Sequence, residues 1–108
     1  MTSYPISIIT PNGKIFDGQV ESLIAPGVEG FFEVLNNHAP MVAMLKEGVL
    51  VLTQGSNRLF FAIGPGVLEV NQKHSALLLV DFALPAASAN EAREKLQSDN
   101  NSLLAKVK

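Results

Sequence analysis

The chain has 108 residues, 47% of them hydrophobic, a formal net charge of -2 and no cysteine. That length holds one domain with a short appendage, the missing cysteine excludes disulfides and thiolate metal sites, and no Lys/Arg cluster points to nucleic acid or anionic lipid. A chain this small buries only about 60–70% of its unfolded surface, so so much apolar content suggests an assembly rather than a free-standing domain.

Met1 to Pro5 carries neither a basic region nor a long apolar core and does not read as a signal peptide. The apolar run Ala76–Val80 falls far short of the ~20 residues that cross a bilayer. Over the first 85 or so residues, short apolar or alternating runs are broken by closely spaced turn signals, the pattern of a sandwich or barrel. Tyr4–Thr10 is an Ile-rich strand ended by the turn Pro11-Asn12-Gly13-Lys14. Gln19–Ala25 reads as one strand, with Val20 and Ile24 on one face and Glu21 and Leu23 on the other. Pro26-Gly27 ends it, with Gly30 close behind.

Beyond the loop Asn36–Pro40, Met41–Leu45 is stopped by Lys46-Glu47-Gly48. Val49–Thr53 and Arg58–Ile63 form a hairpin about Gly55-Ser56-Asn57, and Val67–Val70 and Ser75–Val80 form another about Asn71-Gln72-Lys73. The count is eight to ten strands in an antiparallel sandwich over residues 1–85. Val49–Leu52, Phe60–Ile63 and Leu77–Val80 are apolar on both faces, where a sandwich strand normally turns one face to water. Cover from another subunit is the expectation, because the tail over residues 86–108 is short. That tail carries a helix signature: Ser88-Ala89-Asn90-Glu91 fits a capping box. Glu91 and Lys95 form an i,i+4 charge pair, and Leu103, Leu104 and Val107 continue the apolar spacing past a weak point near Asn100.

No catalytic constellation emerges. His38 and His74 are the only histidines, and a zinc site would need carboxylates in unmotivated positions. His74 reads as an edge or solvent-facing residue. Gly64-Pro65-Gly66 lacks the third glycine and the following helix of a dinucleotide fingerprint. No cofactor is expected.

The ordered set of turns is more specific than any one of them. Val20-Glu21, then Pro26-Gly27-Val28-Glu29-Gly30, then Val34-Leu35 and His38-Ala39-Pro40 resemble, at matching spacing, the signature of the F-type ATP synthase epsilon subunit family. Ile9-Thr10-Pro11, Ile15–Gly18, Lys46–Gly48, Gly64–Val70 and Leu77–Asp81 agree in order, so the resemblance covers residues 4 to 83. It implies a ten-stranded sandwich followed by C-terminal helices, in a non-catalytic central-stalk subunit on the cytoplasmic face of the bacterial inner membrane. The implied partners are the gamma subunit, met near Thr10, His38 and Ala43, and the c-ring, met by the loop Gly27, Val28, Glu29, Gly30, Phe31 and Phe32. Such a part acts mechanically, passing ring rotation to gamma.

Three departures from the family matter. Glu33 and Pro65 replace usual glycines, and Phe31 stands where a polar residue is common, which favours an apolar ring contact. The tail has room for one helix rather than the family's two. The family's ATP-binding pattern falls on residues 89–94 with Arg93 kept but Asn90 and Glu94 altered. No ATP sensing and weak or absent autoinhibition are therefore expected. Two rivals stay open. A free-standing sandwich interaction module would ignore gamma. A jelly-roll enzyme using His38 with Glu29 or Glu33 would need a deep pocket lined by those groups.

Overall fold

A computed structural model of the chain describes residues 2–97. The strands are β1 (Tyr4–Thr10), β2 (Gly13–Val20), β3 (Ser22–Gly27), β4 (Gly30–Leu35), β5 (Met41–Leu45), β6 (Gly48–Gln54), β7 (Asn57–Ile63), β8 (Gly66–Val70), β9 (Ala76–Val80) and β10 (Ala83–Ala86). A helix, α1, follows and is described over residues 89–97. The sequence reading that placed helix near Asn100 and on Leu103, Leu104 and Val107 lies outside the described residues.

The strands hydrogen-bond in the order β10-β7-β6-β3-β5-β8-β9-β1-β2, with β4 on β3. The path folds into two layers: β5-β8-β9-β1-β2, and β10-β7-β6-β3-β4. They meet at one corner, where β3 pairs β5 only at Gly27↔Leu45. Gln54 Nε2 donates to Gln19 O at 2.9 Å and links β6 to β2 at the other.

Strand alternation fills the space between the layers. Ile6 and Ile8 of β1, Leu50 and Leu52 of β6, Leu68 of β8 and Leu78 of β9 are buried in a single cluster. Phe16 of β2 meets Phe61 of β7 edge-on, ring centroids 6.0 Å apart. Outside the core, Lys14 pairs with Asp17 at 3.0 Å. That ammonium and the Ser7 hydroxyl hold the Asp17 carboxyl below its usual range.

Turn chemistry placed most boundaries. The hairpins about Pro11-Asn12, Gly55-Ser56 and Asn71–His74 stand where the residues predict. Three expectations change. Gln19–Ala25 is two strands, because Glu21 N donates to Thr53 O at 2.8 Å and the Glu21 carboxylate accepts from Gly55 N, carrying the chain from one layer to the other. Val20 and Leu23 therefore both point into the core, and Ile24 is half-buried on the opposite face. The region Gly27–Phe32 is a hairpin tip rather than a loop: Gly27 pairs Gly30 about Val28-Glu29, and Phe31 and Phe32 already belong to β4. Gly30 makes this turn possible, since its φ of 128° is open to glycine and not to other residues. Finally, β1 pairs β9 in parallel, so the sandwich is not wholly antiparallel.

The doubly apolar strands divide into two cases. On the outer face of β6 and β7, Val49 and Ala62 are buried in a second cluster with Ala92 and Leu96 of α1, flanked by Val51, Leu84 and Ala86. The chain's own helix covers them. The expectation that another subunit does so is corrected here: two turns suffice, because Ala92 and Leu96 lie four apart on one helical face. The start of α1 keeps the predicted serine cap, with Glu91 N donating to Ser88 Oγ at 3.1 Å, while the Glu91 carboxylate reaches one residue further back than a capping box and accepts from Ala87 N. That use of Glu91 displaces the expected pair with Lys95, whose ammonium instead donates to Pro85 O at 2.9 Å. The second case is β9, whose outer Leu79 stays exposed.

Candidate interaction surfaces

Strand pairing sets the outer face of β5-β8-β9-β1. Met44 lies opposite Val67, Val67 opposite Leu79, and Leu79 beside Ile9. Directly paired residues share a face, so these four form an apolar row across four strands. Met44 (59% exposed) and Leu79 (44%) show it to be open to solvent. A second row, Val42-Glu69-Leu77-Ser7, is mixed. No residue of α1 joins this face among the described residues.

The hairpin tip is the other apolar feature. Val28 is 55% and Phe31 66% exposed. Val28 N donates to Met44 O at 3.0 Å and Lys46 N to Pro26 O at 2.9 Å, which seats the tip against β5. Between tip and strand runs an open groove of about 440 Å³, lined by Gly27–Phe32 and by Val42, Ala43 and Met44.

The residues singled out in the sequence thus fall in three places. The six tip residues and Ala43 share one groove. Thr10 stands at the same end, but it is buried, and its hydroxyl serves the β1–β2 turn by accepting from Asn12 N at 3.1 Å. His38 lies at the opposite end, beyond Met41, where its carbonyl oxygen is 3.3 Å from His74 Nδ1. Glu29 and His38 flank opposite ends of β5, and the grooves lined by Glu29 and by Glu33 do not include His38. His74 sits in the turn before β9 with a φ of 62°, rather than opening the strand. Asn90, Arg93 and Glu94 are exposed on α1, and Arg93 Nη2 donates to Asn90 Oδ1 at 2.6 Å, so two of the three satisfy each other. Among the described residues no three His, Asp or Glu side chains converge as metal ligands.

Val42, Met44 and Leu79, exposed apolar residues of this face, were not among the candidates read from the sequence. Their signal was present: apolar side chains at positions where alternation calls for polar ones, on strands that the helix does not reach.

The family model "ATP synthase, Delta/Epsilon chain, beta-sandwich domain" matches residues 3–86. The chain belongs to this family. The delta/epsilon sandwich is therefore the unit that carries the apolar row and the tip, and the Val20–Pro40 segment that suggested it lies wholly inside the match.

Relatives agree. An ATP synthase epsilon chain of Rhodopseudomonas palustris (strain BisB18) is 34% identical over 108 residues, covering 98% of this chain and 79% of that one. The epsilon chain of Leptospira borgpetersenii (strain JB197) is 38% identical over 90 residues, 83% of this chain and 71% of its own. Among solved structures, a chain of the Euglena gracilis mitochondrial ATP synthase matches with a TM-score of 0.76 at 21% identity, covering 98% of this chain. A chain of the Tetrahymena thermophila central stalk and c-ring structure matches at 0.65 and 17%, covering 77%. At these identities the two structures speak for the delta/epsilon fold alone. This chain spans 66% of the length of each.

Proposed function

We propose that the chain works in the central stalk of an F-type ATP synthase as a non-catalytic rotor part, clamping the gamma subunit to the c-ring so that ring rotation reaches catalytic sites in other subunits. The apolar row Met44-Val67-Leu79-Ile9 carries this reading. Exposed apolar rows of this kind mark protein contacts, and the chain's own helix spends its apolar face elsewhere. Gamma is assigned to that face; of the sequence-derived contacts, Ala43 lines the groove at its edge, Thr10 is buried at the same end and His38 lies at the opposite end of β5. The ring is assigned to the tip, with Val28 and Phe31 as its apolar contacts.

A clamp must not yield under torque. Two layers joined by a close-packed core and tied at both corners supply that stiffness. Weak or absent autoinhibition goes with the same reading, since the altered Asn90 and Glu94 face solvent and Arg93 is engaged by Asn90. The location follows from the assembly, at the cytoplasmic face of a bacterial inner membrane. No helix among the described residues is long and apolar enough to cross one.

The test is co-purification of the full chain with cognate gamma and ring. Leu79→Asp is expected to abolish capture of gamma while leaving the thermal midpoint near that of the parent. Equal capture of parent and variant, or none of the parent, overturns the reading.

A further inference from the structure

The edge of β5 carries backbone groups that the fold leaves unused. Within β5, alternate residues turn their N–H and C=O toward opposite neighbours. The Met44 carbonyl faces away from β8, since it accepts from Val28 N. By alternation the Met44 N–H and both backbone groups of Val42 face the same way. Strand β3 ends at Gly27, opposite Leu45, so no strand lies across from them. The reciprocal bond from Met44 N to Val28 O is not made among the described residues. Three polar groups thus point into the groove, in the geometry of half an antiparallel ladder.

We propose that this edge takes an extended segment of the gamma subunit as an added antiparallel strand. One residue of that segment would exchange both bonds with Val42, and the next acceptor along would take the Met44 N–H. This rests on the stalk reading above and goes beyond it, from apolar contact to backbone pairing. Charge narrows the occupant. Glu29 is the one charged residue among those lining the groove, and Glu69 stands opposite Val42 on β8. Lys46, one residue past β5, lies outside that lining. The added strand therefore carries a Lys or Arg facing Glu29. Exposed Val42 and Met44 give its apolar side chains places to rest. Strand addition of this kind draws affinity from main-chain bonds and specificity from flanking side chains. Pro40, with no N–H to offer, limits the edge to one short stretch and guards it against indiscriminate pairing.

The test uses the full chain with full-length gamma. Met44→Pro removes the N–H without stranding any partner in the free protein, and Met44→Ala removes the side chain but keeps the N–H. The expected result is about tenfold weaker binding for Met44→Pro than for Met44→Ala, the equivalent of one lost hydrogen bond near the upper end of its range. Glu29→Gln is expected to weaken binding in low salt more than in high salt. Should Met44→Pro fail to fold, amide exchange of the parent decides instead: Val42 and Met44 amides slow on adding gamma. Equal binding by the two Met44 variants, or unchanged exchange at both amides in a formed complex, overturns strand addition. If Leu79→Asp still abolishes binding in that case, the apolar-face reading survives and only the strand fails. Concentration-dependent self-association that protects the same amides in the absence of gamma would assign the edge to a second copy and overturn the proposal.

Discussion

The Tyr4 hydroxyl donates to the carbonyl of Val34 at 2.6 Å, tying β1 in one layer to β4 in the other. Both residues are buried, so the bond forms away from competing water. Tyr4→Phe is expected to cost about 1 kcal/mol in urea unfolding at neutral pH. Burial raises the phenol above its ordinary value of 10.0, with Glu33 pushing the same way and a backbone hydrogen bond at Leu23 opposing. The neutral phenol is therefore favoured in the folded state. Its contribution is whole below pH 10.0 and is lost as pH rises from there through the folded-state value. The variant should show a smaller alkaline fall in stability than the parent, and an equal fall would refute the assignment.

Gly66 stands between Leu45 and Val80 in the pairing of three strands. A Cβ there would lie 2.0 Å from Leu79 O and 2.8 Å from Val80 Cα, both backbone atoms held by the ladder. Gly66→Ala is expected to cost more than about 3 kcal/mol, as overpacking with no room to relax does. Soluble yield and the urea midpoint give the measurement.

Removing the helix separates stability from regulation. Leu96→Ala should loosen α1 from β6 and β7 at a cost of about 2 kcal/mol. Hydrogen exchange should quicken in residues 89–97 and leave the sandwich core unchanged. Deleting residues 88–108 bares Val49 and Ala62, so the truncated chain should self-associate more readily. ATP hydrolysis by the catalytic head, assayed with the truncated chain restored, should nonetheless match the parent. Strong activation would overturn the reading of weak autoinhibition.

Phe31→Ala is expected to leave the unfolding midpoint unchanged, because the ring is exposed at the tip. It should lower retention of the c-ring in a pull-down while capture of gamma persists. Equal retention would move the ring contact elsewhere.

Local chemistry made much of this fold legible. Pro11-Asn12, Gly55-Ser56 and Asn71–His74 announced their hairpins, and Ser88 with Glu91 announced the helix, because each signal acts within a few residues. The corner at Glu21 was hidden: its bonds go to Thr53 and Gly55, and alternation along Gln19–Ala25 carries no trace of them. Apolarity on both faces marked β6, β7 and β9 as strands in need of cover, but not what supplies it. Ala92 and Leu96 cover two of them, while Leu79 of the third is exposed. The site was half legible for the same reason. The turn residues of the tip stand out in the sequence, whereas the row from Met44 to Ile9 exists only once four separate strands are laid side by side.

The parallel seam between β1 and β9 joins Ile6 to Ala76 and Ile9 to Leu79, segments about seventy positions apart. A ribosome making this chain releases the first strand well before its neighbour. Until then that strand has only β2 beside it and an unfilled flank. Closure of the barrel-like shell must therefore await synthesis of β9, and the waiting flank is the place where a nascent chain would be caught by a chaperone or by another copy of itself.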